Sequence, residues 1–477
     1  MIGARTAGWK AWMLGLFLLT LTLGVRLWPA WNLKAEVADL SLYRAMAQVV
    51  LKGDNIYQRR VFFPYTPYSQ FLPASMLKLS DYMGWRFDFT MKLPAIVADG
   101  IVSVLLCWAL LAAGASLGWT LAWGLSWALN PVSILISAFH GNVMPVLACL
   151  LLGAVIAAER AESSVHRRRL LAISALVLGL GIAMRTFPVL ALPIFLALAA
   201  RSIRETLEFG VLAGFAAGIS SLPYLIFARQ TFVREILSYS GFSDFGWVAA
   251  LRAMSYLTGG PLLSGFDDGL IMMTKSLFLY AYGIVLLTLP WFRRTSLALG
   301  SMLAPLLFFG LYGGLSAQYL VWMIPLAILV RDRFVLVFSV LAAICMACFY
   351  ALYHPGILFG VYPPLFRGNV LISAIYALTN LIMVALSLAW TVRIVLREIW
   401  GSKGGAQSLW LLPLWPRWRW LRWLYAIGIC ALLAMWGGML HADLAWASNT
   451  FVRIAPRGLH GAWTNLADFL SKSQSMR

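Results

Sequence analysis

Acids, bases and tyrosines gather in one stretch near the start of the chain, AEVADLSLYRAMAQVVLKGDNIYQRRVFFPYTPYSQ, from Ala35 to Gln70. Asp39 stands just before an apolar pattern with helical spacing, Leu42, Met46, Val49 and Val50, which places it at the cap or in the first turn of a loop helix. A carboxylate at that position can simply cap the helix, or it can accept the proton of an attacking hydroxyl as a general base. Two turn-rich segments follow, GDNIY from Gly53 to Tyr57 and PYTP from Pro64 to Pro67. Glycine and proline fix the loop backbone there. Arg59 and Arg60 lie between the two turns and Tyr65 lies in the second. The two arginines are either solvated loop charges or phosphate ligands, and Tyr65 is a candidate substrate contact.

Three later segments carry further candidates. NPVSILISAFHGN, from Asn130 to Asn142, breaks an apolar run with Asn-Pro and ends it with His140, Gly141 and Asn142. His140 is either a structural histidine or a substrate-binding group, and Asn142 stands beside it. Arg185, in MRTFP, interrupts two apolar runs, where a guanidinium can hold a phosphate by paired hydrogen bonds or anchor at lipid headgroups. Gln318 and Tyr319, in SAQYLVW, can hydrogen-bond a polar substrate, while an aromatic belt alone accounts for Tyr319 and Trp322. Asp99 lies inside an apolar run, with Arg26 as its expected partner.

The elements that must position these groups are membrane spans. Of 477 residues 61% are hydrophobic and 12% are charged, and the mean hydropathy is +0.81. A soluble domain carries about 25% charged residues. The expected fold is therefore all-α and polytopic, a bundle of about 13 transmembrane helices with a large first outer loop. One transmembrane domain is expected over residues 1–440, with outer loops at 32–92 and 229–268, followed by a short outer tail at 441–477. The first apolar run, about Ala11 to Trp31, is longer than a signal peptide core and is read as a retained span.

Charge orients this bundle. The net charge of +19 is scattered in twos and threes between apolar runs, which fits membrane topology and not nucleic acid. With a cytoplasmic N-terminus, the inner segments hold Arg160, Arg167, Arg168, Arg169, Arg201, Arg204, Arg331, Arg333 and others, and the short outer turns hold Arg185 alone. Both long polar loops then face the periplasmic, extracellular or lumenal side. The Trp- and Arg-rich stretch from Trp410 to Trp423 suits the inner headgroup region. The five cysteines lie in apolar runs and read as small hydrophobes.

ADLSLYRAMAQVVLKGDNIY with PYTP, then NPVSILISAFHGN, MRTFPVLALP and SAQYLVW, resembles in order and spacing the GT-C superfamily of membrane glycosyltransferases, over about Asp39 to Pro325. The resemblance is closest to polyprenyl- or dolichyl-phosphate-mannose-dependent mannosyltransferases, such as GPI mannosyltransferase I and its bacterial relatives. It implies a polyprenyl- or dolichyl-phosphate sugar donor, a glycan or glycolipid acceptor, and inverting displacement with Asp39 as catalytic base. Arg185, with His140, is then expected at the donor phosphate. Relatives often show an acid, any residue, acid pattern in the first loop. Here Asp39, Leu40 and Ser41 lack the second acid, so Mg or Mn would have one carboxylate and the donor phosphate as ligands. No glycine-rich nucleotide loop occurs in a strand-to-helix context, in keeping with a lipid-linked donor. The competing functions are a lipid-linked glycan polymerase or ligase, and a flippase or solute transporter that breaks no bond. A transporter is expected to carry its polar groups at midplane.

Overall fold

The computed structural model describes residues 2–33, 38–59, 63, 65–237, 241–258, 267–289, 296–359, 369–400, 427–434 and 436–438. These residues are almost wholly helical, with one isolated antiparallel bridge, Phe245 to Leu315. The helices run α1 (Ile2–Asn32), α2 (Ala38–Leu51), α3 (Tyr68–Met83), α4 (Phe87–Ala112), α5 (Leu117–Ala128) and α6 (Pro131–Ile134). Then come α7 (Met144–Ala161), α8 (Arg167–Met184), α9 (Leu192–Leu198), α10 (Ile203–Gly218), α11 (Leu222–Phe227), α12 (Arg229–Leu237) and α13 (Gly246–Thr258). The last are α14 (Asp267–Thr288), α15 (Leu297–Leu311), α16 (Ile324–Leu329), α17 (Phe334–Tyr353), α18 (Pro355–Phe359) and α19 (Val370–Trp400).

Eight helical stretches among the described residues are long and apolar enough to cross a membrane: Gly8–Asn32, Phe87–Ala112, Leu117–His140, Met144–Ala161, Ile203–Phe227, Leu270–Thr288, Phe334–Tyr353 and Val370–Arg397. The surface supports that reading, because Trp12, Phe17, Trp28, Val211, Phe227, Val340 and Leu371 are all more than half exposed. Such side chains facing outward suit lipid and not water. Three of the roughly 13 expected spans are short among the described residues. Phe187–Leu198, Leu297–Leu311 and Ala317–Leu329 are apolar helices of fewer than 18 residues, too short at about 1.5 Å per residue to cross about 30 Å. The expected span Trp423–Leu440 is described only at 427–434 and 436–438, and the Trp410–Trp423 stretch and the tail at 441–477 lie outside the described residues.

Packing joins α7 to α8, α8 to α10, α1 to α4 and α17 to α19. The helices α7 and α8 run in opposite directions, so the two ends of the bundle carry different chemistry. At one end Arg167 pairs with Glu162 at 2.6 Å and Glu205 at 3.0 Å, and Arg168 and Arg204 share Glu208. The other end gathers Asp39, His140 and Arg185.

A buried polar network fixes the break in the third apolar run. Pro131 cannot donate to the preceding turn, so the last carbonyls of α5 lose helical partners. Arg26, fully buried on α1, donates to the carbonyl oxygens of Ala128 at 2.7 Å and Trp127 at 3.4 Å. Its Nε pairs with Asp99 at 2.6 Å. Ser133 Oγ donates to the same carboxylate at 2.7 Å, and Trp127 Nε1 donates to the Asp99 carbonyl at 2.9 Å. Asp99 is thus the buried counter-ion expected for Arg26. Asp99→Ala would leave a buried guanidinium without its carboxylate and is expected to destabilise the protein by about 3–5 kcal/mol. A thermal melt of the detergent-solubilised variant measures this, and an unchanged melting temperature would contradict it.

Candidate active site

The site is assembled around α2. Asp39 occupies its first turn, where a carboxylate is favoured by the unpaired N–H groups of the helix start. The buried face of α2 holds Leu40, Tyr43, Met46 and Ala47, whereas Leu42 and Val49 are half-buried. This face holds Asp39 over the end of the bundle.

The partners of Asp39 come from the segment after the Asn130-Pro131 break. Residues Leu135–His140 form a π-helical turn, closed where Gly141 and Asn142 both donate their backbone N–H to the carbonyl of Ile136, at 3.0 and 3.1 Å. Such turns often mark functional positions. Gly141 has φ of +78° and a side chain on it would come within about 3 Å of Lys92 Cγ and Leu40 Cδ2, so only glycine allows both the left-handed backbone and the close approach of α4 and α2. This turn aims two donors at one oxygen. His140 Nε2 lies 3.0 Å from Asp39 Oδ2, and Asn142 Nδ2 donates to it at 2.8 Å. The Asn142 amide is oriented because its Oδ1 accepts the N–H of Met144 at 3.1 Å, at the start of α7. His140 Nδ1 lies 2.8 Å from the hydroxyl of Tyr350 on α17.

On the other side of Asp39 stands Arg185, buried at the end of α8. It donates to the Tyr43 hydroxyl at 3.1 Å, one turn along α2 from Asp39, and its guanidinium lies 3.2 Å from the centre of the Tyr65 ring. The loop holding Tyr65 is tied down by Thr66, which donates to the Ala183 carbonyl at 2.5 Å, and by Tyr57, which donates to the Tyr65 carbonyl at 2.6 Å. Arg185 and Tyr65 also line a cavity of about 230 Å³, with Lys275 and an aromatic wall that includes Phe278, Phe308, Tyr319 and Trp322. Asp39 does not line this cavity, and Arg185 and Tyr65 connect the two.

Electrostatics separate two acids. Burial pushes the Asp39 carboxyl up, but the His140 and Asn142 hydrogen bonds and the charge of Arg185 outweigh it and hold its pKa below the usual carboxylate range. Asp39 is therefore a carboxylate at neutral pH. Asp244 is pushed up to about 6 by burial, against the charge of Arg252, with the Asp39 charge adding to the rise and the Ser316 hydrogen bond opposing it. Its backbone is clamped: its N–H donates to the Leu315 carbonyl at 2.9 Å and its carbonyl accepts from Tyr376. His354, which follows α17, is lowered by burial, with the Asp39 charge opposing.

Asp39, His140, Asn142, Arg185 and Tyr65 are thus brought together. Tyr319 lines the cavity beside them, whereas Gln318, half-buried in the same short turn, does not. Arg59 is exposed and pairs with Asp54 at 2.7 Å, and Arg60 lies outside the described residues. Tyr43, Asp244, Lys275, Tyr350 and His354 join the neighbourhood without having been singled out as site residues from sequence. Tyr43 carried a usable signal, since it falls four residues after Asp39 and hence on the same helix face. Among the described residues no group of three or more His, Cys, Asp or Glu side chains could hold a metal ion. Asp39 Oδ2 accepts from His140 and Asn142.

No protein-family model matches the chain, and no curated protein does. Among solved structures, ArnT from Cupriavidus metallidurans bound to undecaprenyl phosphate is similar at 14% identity over 83% of this chain and 78% of that chain, with a TM-score of 0.42. That likeness is too loose to carry an assignment of fold or activity.

Proposed function

We propose that this protein is a membrane glycosyltransferase that moves a sugar, mannose by motif resemblance, from a polyprenyl-phosphate donor to a lipid-linked or cell-envelope glycan acceptor on the outer or lumenal face. The observation that carries this reading is the pairing of a loop carboxylate, held by His140 and Asn142, with a buried arginine across one turn of α2. A base and a phosphate-binding cation side by side at one end of an apolar bundle suit attack on a lipid-phosphate sugar. In the reaction, the acceptor oxygen bonds to the anomeric carbon from the face opposite the phosphate. Its proton passes to an Asp39 oxygen, and the bond from the anomeric carbon to the phosphate oxygen breaks. The electron pair leaves with the phosphate, whose growing charge Arg185 stabilises more in the transition state than in the ground state. The sugar inverts its configuration. The aromatic wall of Phe278, Phe308, Tyr319 and Trp322 suits the apolar and ring surfaces of such a donor.

The reading is tested with membranes that contain or lack the protein and a panel of radiolabelled polyprenyl-phosphate sugars. Label from one donor is expected to enter a new product only when the protein is present. Label that crosses the bilayer with its donor intact would replace the enzyme with a flippase.

A further inference from the structure

Tyr350 is fully buried, and the polar contact of its hydroxyl is with His140 Nδ1 at 2.8 Å. A phenol that is out of reach of water must give its proton to an acceptor, and leaving it unmade costs about 1–3 kcal/mol. Nδ1 can accept that proton only if it carries none of its own. At the other side of the ring, the Asp39 carboxylate is an acceptor and requires a proton on Nε2, 3.0 Å away. The two contacts demand the same form of the ring: neutral, with its proton on Nε2.

We propose that Tyr350 is a positioning residue that locks His140 in the neutral Nε2–H tautomer, so that His140 serves Asp39 by a hydrogen bond without adding a positive charge to it. This rests on the reading of Asp39 as the base and deepens it. A charged imidazolium against Asp39 would make the carboxylate a poorer base, because basicity falls as a neighbouring cation stabilises the ionised form. A neutral ring with its proton on Nε2 orients the carboxylate through the same hydrogen bond and leaves Arg185 as the cation of the pair. The flipped tautomer would present a bare nitrogen to the carboxylate and repel it. Both ring nitrogens are committed, so the donor phosphate falls to Arg185 and not to His140. The groups that face this ring are Asp39 from α2, Tyr350 from α17, Asp244 from the segment before α13 and His354 after α17.

Nitrogen NMR of the protein in lipid bilayers, with its five histidines labelled and His140 assigned through His140→Gln, reads the tautomer directly and needs no substrate. The wild type is expected to show His140 protonated at Nε2 and bare at Nδ1, and Tyr350→Phe is expected to lose that single form. A proton on Nδ1 in the wild type, or the same tautomer in Tyr350→Phe, overturns the proposal. If Tyr350→Phe does not fold, the wild-type spectrum alone decides. In the transfer assay, Tyr350→Phe is expected to lower kcat about tenfold at an unchanged KM, the scale of losing a group that orients a reacting residue, and a raised KM with unchanged kcat overturns the positioning role. Failure to find any donor would count against the glycosyltransferase reading while the NMR result stood on its own.

Discussion

Asp39→Asn is expected to lower sugar transfer by about 10²–10⁴-fold, the usual contribution of a positioned general base. An amide keeps the size of the side chain and removes the oxygen that accepts the proton. It also disturbs the contacts, because His140 and Asn142 both donate to Asp39 Oδ2 and an amide can offer an acceptor to them on only one side. The protein should still fold, since Asp39 is half-buried at a helix start. The measurement is kcat at saturating donor, with a thermal melt alongside to separate folding from chemistry. Transfer within a few-fold of wild type in a well-folded Asp39→Asn protein would remove Asp39 from the base role.

Arg185→Gln should come next in effect, lowering kcat by about 10²–10³-fold, the scale of losing a preorganised donor to developing charge. The argument lies in placement. Arg185 is buried, stacks 3.2 Å over Tyr65 and bonds to Tyr43 one turn from Asp39, so its charge acts where solvent screens it weakly. Arg185→Lys restores the charge without the planar fork or the ring stacking and is expected to recover only part of the rate. If Arg185→Gln raises KM and leaves kcat unchanged, the guanidinium holds the donor equally in ground and transition states.

Parts of this site can be read from local pattern alone. Asp39 before Leu42, Met46 and Val49 announces α2, Asn130-Pro131 announces the break in the third run, and Arg185 stands out as a base in a short turn away from the other arginines. Asp99 pairs with Arg26 as an acid within an apolar run requires. Contacts that depend on distant chain are silent in the sequence. His140 meets Tyr350 from 210 residues away, and no local period reports that. Asp244 gains its high pKa from burial and from Asp39, which needs the fold to be known. Among the described residues, apolar runs such as Phe187–Leu198 and Ala317–Leu329 satisfy a hydropathy window but begin in tight turns and stop short. Pro188 sits at the start of the first run and Pro325 at the start of α16 within the second, positions where the fixed φ and missing N–H of proline are tolerated.

The central claim is that this protein breaks the bond between a sugar and a polyprenyl phosphate, and it is tested most directly with purified protein in liposomes loaded with one donor at a time. Polyprenyl phosphate released and sugar transferred are counted together, and the anomeric configuration of the product is determined. One donor is expected to yield one polyprenyl phosphate for each sugar moved, with inversion at the anomeric carbon. Recovery of every donor intact, with the lipid-linked sugar redistributed between leaflets, would contradict the account.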